Sequence, residues 1–388
     1  MTTTLTPPAR AETAASPLRR IDHFDGPELT GTPASQLAAI RDRAPAFKEW
    51  FRATGTAECL AARSLVTLPY PTRWALWEAC SLPGLPYVWM TNRMFVVQWR
   101  DAEDRLRTLV AEPSDYELGA NTPYIHQALG QRPGARRNRL REWFAGNAFV
   151  RHPGVGERLA ELGIDPAGVD YLTFDHLHTQ DIRRLIGTTV PAPDLGHPDG
   201  PVPPMFPNAR LIVQRDELAQ VRDVHPFQSR FHQPSTYAGI REDALLVTEG
   251  DVLLGPGVAL LRTPGHTIGN HSLVVNTTRG IFTSSENGVA AECYAPEHSR
   301  IPGVAAFARR WGFEAILNFN TPEFASWQYN SMVKERLIAD PVPHAPQLPQ
   351  VFPSSELTRH RFAPHFRPTF EHGDLTVGHV SAVRGAAA

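Results

Sequence analysis

The chain has 388 residues, 42% of them hydrophobic and 20% charged, with a formal net charge of -2. That length suits one large domain with extensions, or two ordinary domains, and a core of substantial size. The near-neutral balance gives no basis for nucleic acid or an anionic membrane as the main partner, and no stretch reaches the ~18 apolar residues of a membrane helix.

Residues 1–33 are rich in Thr, Ala and Pro and read as a disordered tail without the apolar stretch of a signal peptide. Leu37, Ile40, Ala44 and Phe47 recur at helical spacing, so residues 34–80 read as a helical N-terminal extension. A main domain over 81–380 and a frayed tail over 381–388 follow. Tyr87–Trp99 reads as two strands around a Thr91-Asn92 turn, with a third strand at Leu106–Val110. The basic run Arg132–Arg141 reads as a solvated helix face or loop.

Val169–Phe174 is a short apolar run that ends in Asp175-His176, and a short helix capped by Gly187 comes after it. A strand at Ala209–Gln214 precedes a helix at Asp216–Val221. Two strand pairs are expected, Gly250–Leu254 with Val258–Arg262 and Ser272–Asn276 with Gly280–Ser284. Helices are expected near Val304–Trp311 and Phe324–Ala339, and the proline-rich part from Pro341 to Pro353 reads as a loop or linker. Strand pairs mixed with helices give an α/β layered domain. Cys59, Cys80 and Cys293 show no CxxC spacing, which fits a reducing cytoplasm and leaves them as buried small hydrophobes.

Three elements carry chemistry. His176 and His178 stand two apart at the end of a strand, so in an extended backbone both imidazoles face one point and form half of a metal site. Asp181 follows in the first turn of the next helix, where the helix dipole favours a carboxylate. In Thr263-Pro264-Gly265-His266 a tight turn presents His266 at the end of a second strand, and Glu286 follows a third. Each has a plain structural reading when taken alone: a chance HxH, a helix cap, a core histidine, a surface carboxylate.

Taken in order, these motifs resemble the metallo-β-lactamase superfamily, most nearly its lactonase-like hydrolases. The pattern there is HxHxDH, a TPGHTxG histidine, a bridging aspartate and a late histidine in PGH. The resemblance runs from about Tyr87 to Pro353 and is strongest over Thr248–Val275. It implies an αββα sandwich holding one or two transition-metal ions, zinc first with iron or manganese as alternatives. By this resemblance His176, His178, Asp181, His266 and Glu286 are the ligands. The chain departs from the pattern in four places. Gln180 stands at the aspartate position, Asp181 at the second histidine, Glu286 at the bridging aspartate, and Pro353-Ser354-Ser355 replaces PGH. Gln180 and His372 are the additional candidates, His372 as a late histidine that folds back.

The function implied is hydrolysis of an ester, lactone, thioester or amide carbonyl of a small molecule by metal-activated water, with Asp181 as general acid or base. Trp89, Trp99 and Tyr237, with the extension and the loop around His225–Tyr237, are expected around the pocket. Two alternatives stay open. The carboxylate at Asp181 hardens the site and motivates an iron-dependent oxygenase, and the missing PGH histidine motivates a non-catalytic binding domain. The partner is expected to be a small molecule, with a homodimer compatible with the sequence.

Overall fold

The computed structural model describes residues 18–26, 30–82, 84–128, 147–233 and 235–385. Two sheets form its centre. The five-stranded sheet is antiparallel throughout, in the order Arg19–Ile21, Asp251–Gly255, Val258–Arg262, His271–Thr277, Gly280–Ser284. The nine-stranded sheet runs Leu245–Thr248, Arg210–Gln214, Tyr171–Thr173, Leu106–Ala111, Tyr87–Arg100, Cys59–Pro71, Leu375–Gly378. Ser355–Thr358 and Val150–Arg151 pair with it at Tyr87–Arg100 and Cys59–Pro71. Four of its strands, Leu106–Ala111, Tyr171–Thr173, Arg210–Gln214 and Leu245–Thr248, are parallel neighbours. Parallel pairing needs crossovers, and helices supply them.

Strand alternation explains the layers, because successive side chains point to opposite faces. Leu60, Ala62, Phe95, Val97 and Trp99 meet Val258, Leu260, Leu273, Val275 and Phe282 in one cluster between the two sheets. The alternate residues Ala61, Met94, Val96 and Val110 face outward, against Val155, Leu159, Leu185 and Leu218 of the covering helices. On the other sheet Ala259, Leu261, Val274 and Ile281 pack against Phe47, Phe51 and Ile338. Burying each of those phenylalanines contributes roughly 1.5–3 kcal/mol. The resulting order is helix, sheet, sheet, helix, the αββα arrangement that the resemblance implies.

Several elements differ from expectation. Tyr87–Arg100 is one continuous strand. Thr91 and Asn92 have partners on both sides, Thr67 and Val66 on one and Glu356 and Ser355 on the other, so no turn forms there. Within 34–80 the long helix is Pro33–Ala53, whereas Cys59–Pro71 is a strand. Both faces of that strand are buried, which removes the alternation that marks a strand in sequence. Arg19–Ile21 lies inside the stretch read as a tail yet adds an edge strand, and residues 1–17 lie outside the described residues.

Pro341–Val342 and Ala345–Pro349 form a hairpin where a linker was expected. In the C-terminal stretch Val383 bridges to Ile164 and the Ser381 amide donates to Gln98, so residues 381–385 are docked. The basic run Arg132–Arg141 lies outside the described residues. The three cysteines are free thiols. Among the described residues no helix is long and apolar enough to cross a membrane.

Candidate metal centre

The topology gathers the site along one edge. The parallel strands Leu106–Ala111, Tyr171–Thr173 and Arg210–Gln214 all end there, followed at once by Glu112, by Asp175–His178 and by the helix Arg215–Arg222 with Glu217. Ligand sites of α/β sheets form at the carboxyl ends of strands for this reason. The strand Val258–Arg262 of the facing sheet ends in the turn that carries His266. His176, His178 and His266 are all buried, and one nitrogen from each lies within 4.8 Å of the others.

Hydrogen bonds set which nitrogens are bare. His176 Nδ1 donates to Asp175 Oδ1 at 2.6 Å, leaving Nε2 with its lone pair. His178 Nε2 donates to Gln228 Oε1 at 2.6 Å, leaving Nδ1 bare. The Gln228 amide is itself oriented, since its Nε2 donates to Glu323. His178 Nδ1 stands 3.3 Å from His266 Nε2. At that distance the two rings can share a proton, and a bound cation would take the place of that proton between them.

Burial holds His178 and His266 far below the usual histidine range, reinforced by the charge of His176. Burial lowers His176 too, but the Asp175 charge and hydrogen bond outweigh it and raise the group to about 9. A cation held here would compete with the proton on His176. Buried imidazoles, two of them held neutral and two oriented by a carboxylate and an amide, are the donor set of a transition-metal site, so the residues fit the group that the resemblance implies.

Around them lies a shell of polar residues that sequence reasoning missed. Glu217 is 1% exposed and ties the two histidine segments together. Its Oε1 accepts the Leu177 amide, and its Oε2 accepts the Thr267 hydroxyl. Burial pushes its carboxyl up. Glu112 accepts the Asp175 amide at 2.6 Å. Backbone strain concentrates at the same place: Glu112 and Thr179 have φ of 55° and 62°. That conformation is costly for a β-branched residue, and the bond from the Thr179 amide to the Phe231 carbonyl holds it. At Gly265 a Cβ would stand 2.2 Å from Gln328 Cα, so only glycine lets the His266 turn seat on its helix.

The other candidates from sequence are distributed as follows. Glu286 lines the same cavity as the three histidines and accepts the Ser355 hydroxyl at 3.0 Å. Burial pushes it up to about 7, with His176 opposing and Asp175 adding to the shift. Gln180 lines the cavity too. Asp181 does not join the cluster: its oxygens accept from the Arg183 amide, Nε and Nη2, and Arg183 continues to Asp194. A carboxylate pinned by a guanidinium two residues on has the geometry of a structural ion pair, so the structure places Asp181 outside the histidine cluster. His372 lies elsewhere, bonded to Glu356 at 2.7 Å and stacked on Phe352. In place of the late histidine, Ser354 donates to Asp175 Oδ2 and Ser355 to Glu286.

The cavity above the cluster has a volume of about 790 Å³, with Leu68, Tyr70, Met90, Tyr124, Phe149 and Phe231 among its walls. Phe231 belongs to the loop expected there, and it stacks on His178 at 4.6 Å. The three aromatic residues expected in the wall are placed otherwise. Trp99 is in the core between the sheets, Trp89 Nε1 donates to the Ala148 carbonyl, and the Tyr237 hydroxyl donates to the Leu177 carbonyl.

The shell is testable at Gln228. Gln228→Leu removes the acceptor that fixes the His178 tautomer and is expected to weaken metal affinity about 10–100-fold, read by chelator competition.

No protein-family model matches this sequence. Among solved structures the chain is similar to a probable metal-dependent hydrolase from Staphylococcus aureus, at 11% identity over 72% of this chain and 84% of that one, with a TM-score of 0.46. It is similar to AidC, a dizinc quorum-quenching lactonase, at 12% identity over 72% and 84%, with a TM-score of 0.44. An N-acyl homoserine lactone hydrolase with its product at the catalytic metal centre matches at 18% identity over 66% and 88%, with a TM-score of 0.41. The layered fold described above rests on this chain's own sheets and helices.

Proposed function

We propose that the protein is a metal-dependent hydrolase that cleaves an ester, lactone, thioester or amide carbonyl in a small molecule with an apolar substituent. One observation carries this reading: nitrogens of three buried imidazoles converge beside a largely apolar cavity that the same histidines line. When bound, a divalent ion supplies a water whose pKa falls toward ~7 and polarises a carbonyl oxygen.

The chain's own residues do the rest. His176, His178 and His266 would hold the ion, while Asp175 and Gln228 orient the first two rings through their other nitrogens. Glu286, at the cavity wall, is the carboxylate placed to ligate or to carry a proton. Tyr70, Met90, Tyr124 and Phe231 exclude water from the reacting carbonyl and seat the apolar part of the substrate.

With Asp181 held by Arg183, the carboxylate that motivated iron turns away from the histidines, and Glu286 is the candidate carboxylate left to join them. Three imidazoles suit zinc, and zinc hydrolysis is therefore the reading we prefer over an oxygenase. Three free cysteines accord with a cytoplasmic site of action.

A panel of aryl esters and lactones tests this. Hydrolysis is expected to stop on treatment with a chelator and to return with stoichiometric zinc. Protein that binds none of zinc, manganese or iron on reconstitution would leave the fold intact and remove the function.

A further inference from the structure

We propose that the buried polar face of the helix Ala325–Ile338 is a positioning element for His266, with Glu335 as its key residue, acting through Asn287. This rests on the reading of His266 as a metal ligand.

Gln328, Ser331 and Glu335 are spaced three and four apart and share one side of the helix. They are 0%, 4% and 1% exposed. An apolar residue at each position would be the cheaper way to fill that space. Instead, all of them bond to the chain around His266. The Ser331 hydroxyl donates to the Pro264 carbonyl at 2.7 Å. Gln328 Nε2 donates to the Asn287 carbonyl at 2.8 Å and the Asn318 carbonyl at 2.7 Å. Glu335 Oε1 gathers the Ser272 hydroxyl, the Ser285 hydroxyl and Asn287 Nδ2 at 2.6, 2.7 and 2.9 Å.

Asn287 is the hub. Its Oδ1 accepts the backbone N–H of His266 at 3.1 Å, and its Nδ2 donates to the Thr263 carbonyl at 3.1 Å as well as to Glu335. Those partners admit one orientation of the amide. Turned over, it would set an NH2 against the His266 N–H and an oxygen against the Glu335 carboxylate. Glu335 Oε1 accepts from all three of its neighbours, so the Asn287 end that meets it must be the donating NH2. With the Thr263 carbonyl it sets which end of Asn287 faces His266, and so where the His266 backbone sits. Asn287 is 0% exposed, which keeps water from replacing either bond.

Zinc affinity, measured by competition with a chromophoric chelator, tests the link in the full-length protein. Glu335→Leu is expected to bind zinc about 10–100-fold more weakly while circular dichroism of the metal-free protein stays that of the wild type. Glu335→Gln keeps an oxygen for the three donors and is expected to rescue affinity to within a few-fold of wild type. Asn287→Ala is expected to lose as much as Glu335→Leu, and the double variant no more than either, because both remove one link. Wild-type affinity in Glu335→Leu, or losses that add in the double variant, would overturn the proposal. If Glu335→Leu does not fold, Asn287→Ala decides alone, since unchanged affinity there overturns it equally. Failure of the underlying metal reading shows differently, as wild-type protein that takes up no zinc.

Discussion

Replacing His176 with alanine is expected to give a folded protein without stoichiometric metal, and to lower turnover of any hydrolysed substrate by at least about a thousandfold. Among the described residues, His176, His178 and His266 are the only cluster of three or more potential ligands. Removing one leaves two imidazoles, too few to fix a tetrahedral ion. The rate loss follows because the ion supplies several kcal/mol of transition-state stabilisation, and ~4 kcal/mol is about a thousandfold. His266→Ala is expected to behave alike. Elemental analysis and kcat/KM on the same preparations check both. The contrast is Asp181→Asn, which is expected to keep its metal. It weakens the buried pair with Arg183, which keeps Asp194 as a charged partner, and so loses on the order of 1–3 kcal/mol of stability. A metal-free but stable Asp181→Asn would reverse the two roles and restore the carboxylate to the ligand set.

That contrast marks where sequence reasoning reached and where it stopped. The three histidines were legible because each follows an apolar strand and sits in a short pattern with its own geometry. The position of Asp181 was not legible, because adjacency in sequence does not reveal which way a side chain turns, and Arg183, two residues on, holds it away from the histidines. Glu217, Gln228, Asn287 and Glu335 carried no sequence signal at all. Each is a lone polar residue in a helix or loop, where a solvated position is the ordinary reading, and each meets its partner across 21 to 50 residues of chain. The layering was legible for the strand pairs between Asp251 and Ser284, where turns punctuate apolar runs. It was not legible for Cys59–Pro71, a strand covered on both faces. The Pro-Ser-Ser segment was read as a loss of the late histidine, whereas its two hydroxyls orient Asp175 and Glu286. Chemistry that works through orientation is visible only once the fold brings the partners together.

His232→Leu is expected to be more stable than the wild type, and increasingly so in acid. His232 is 5% exposed and neither of its ring nitrogens has a hydrogen-bond partner among the described residues. Its ring lies 5.1 Å from that of His178, beside the cluster. A buried polar group without partners costs roughly 1–3 kcal/mol, and an apolar side chain of similar size removes that cost at neutral pH. Acid adds a second term. Burial, helped by the charge of His176, pushes His232 down to about 4, against about 6.5 in an unfolded chain. Above pH ~6.5 neither state binds the proton, so the wild type has its full stability there. Between ~6.5 and ~4 the unfolded state is protonated and the folded state is not, so wild-type stability falls as pH falls, and below ~4 the loss levels off. Across that window the variant gains up to roughly 3 kcal/mol relative to the wild type. Taking the difference between two proteins cancels the buried carboxylates Glu217 and Glu335, which burial pushes up in both. Urea unfolding of the metal-free proteins at pH 7.5, 6, 5 and 4.5 reads the difference directly. A gap that stays constant with pH would mean that the imidazole titrates as it does in water, and that the loop carrying Phe231 opens instead of sealing the histidine cluster.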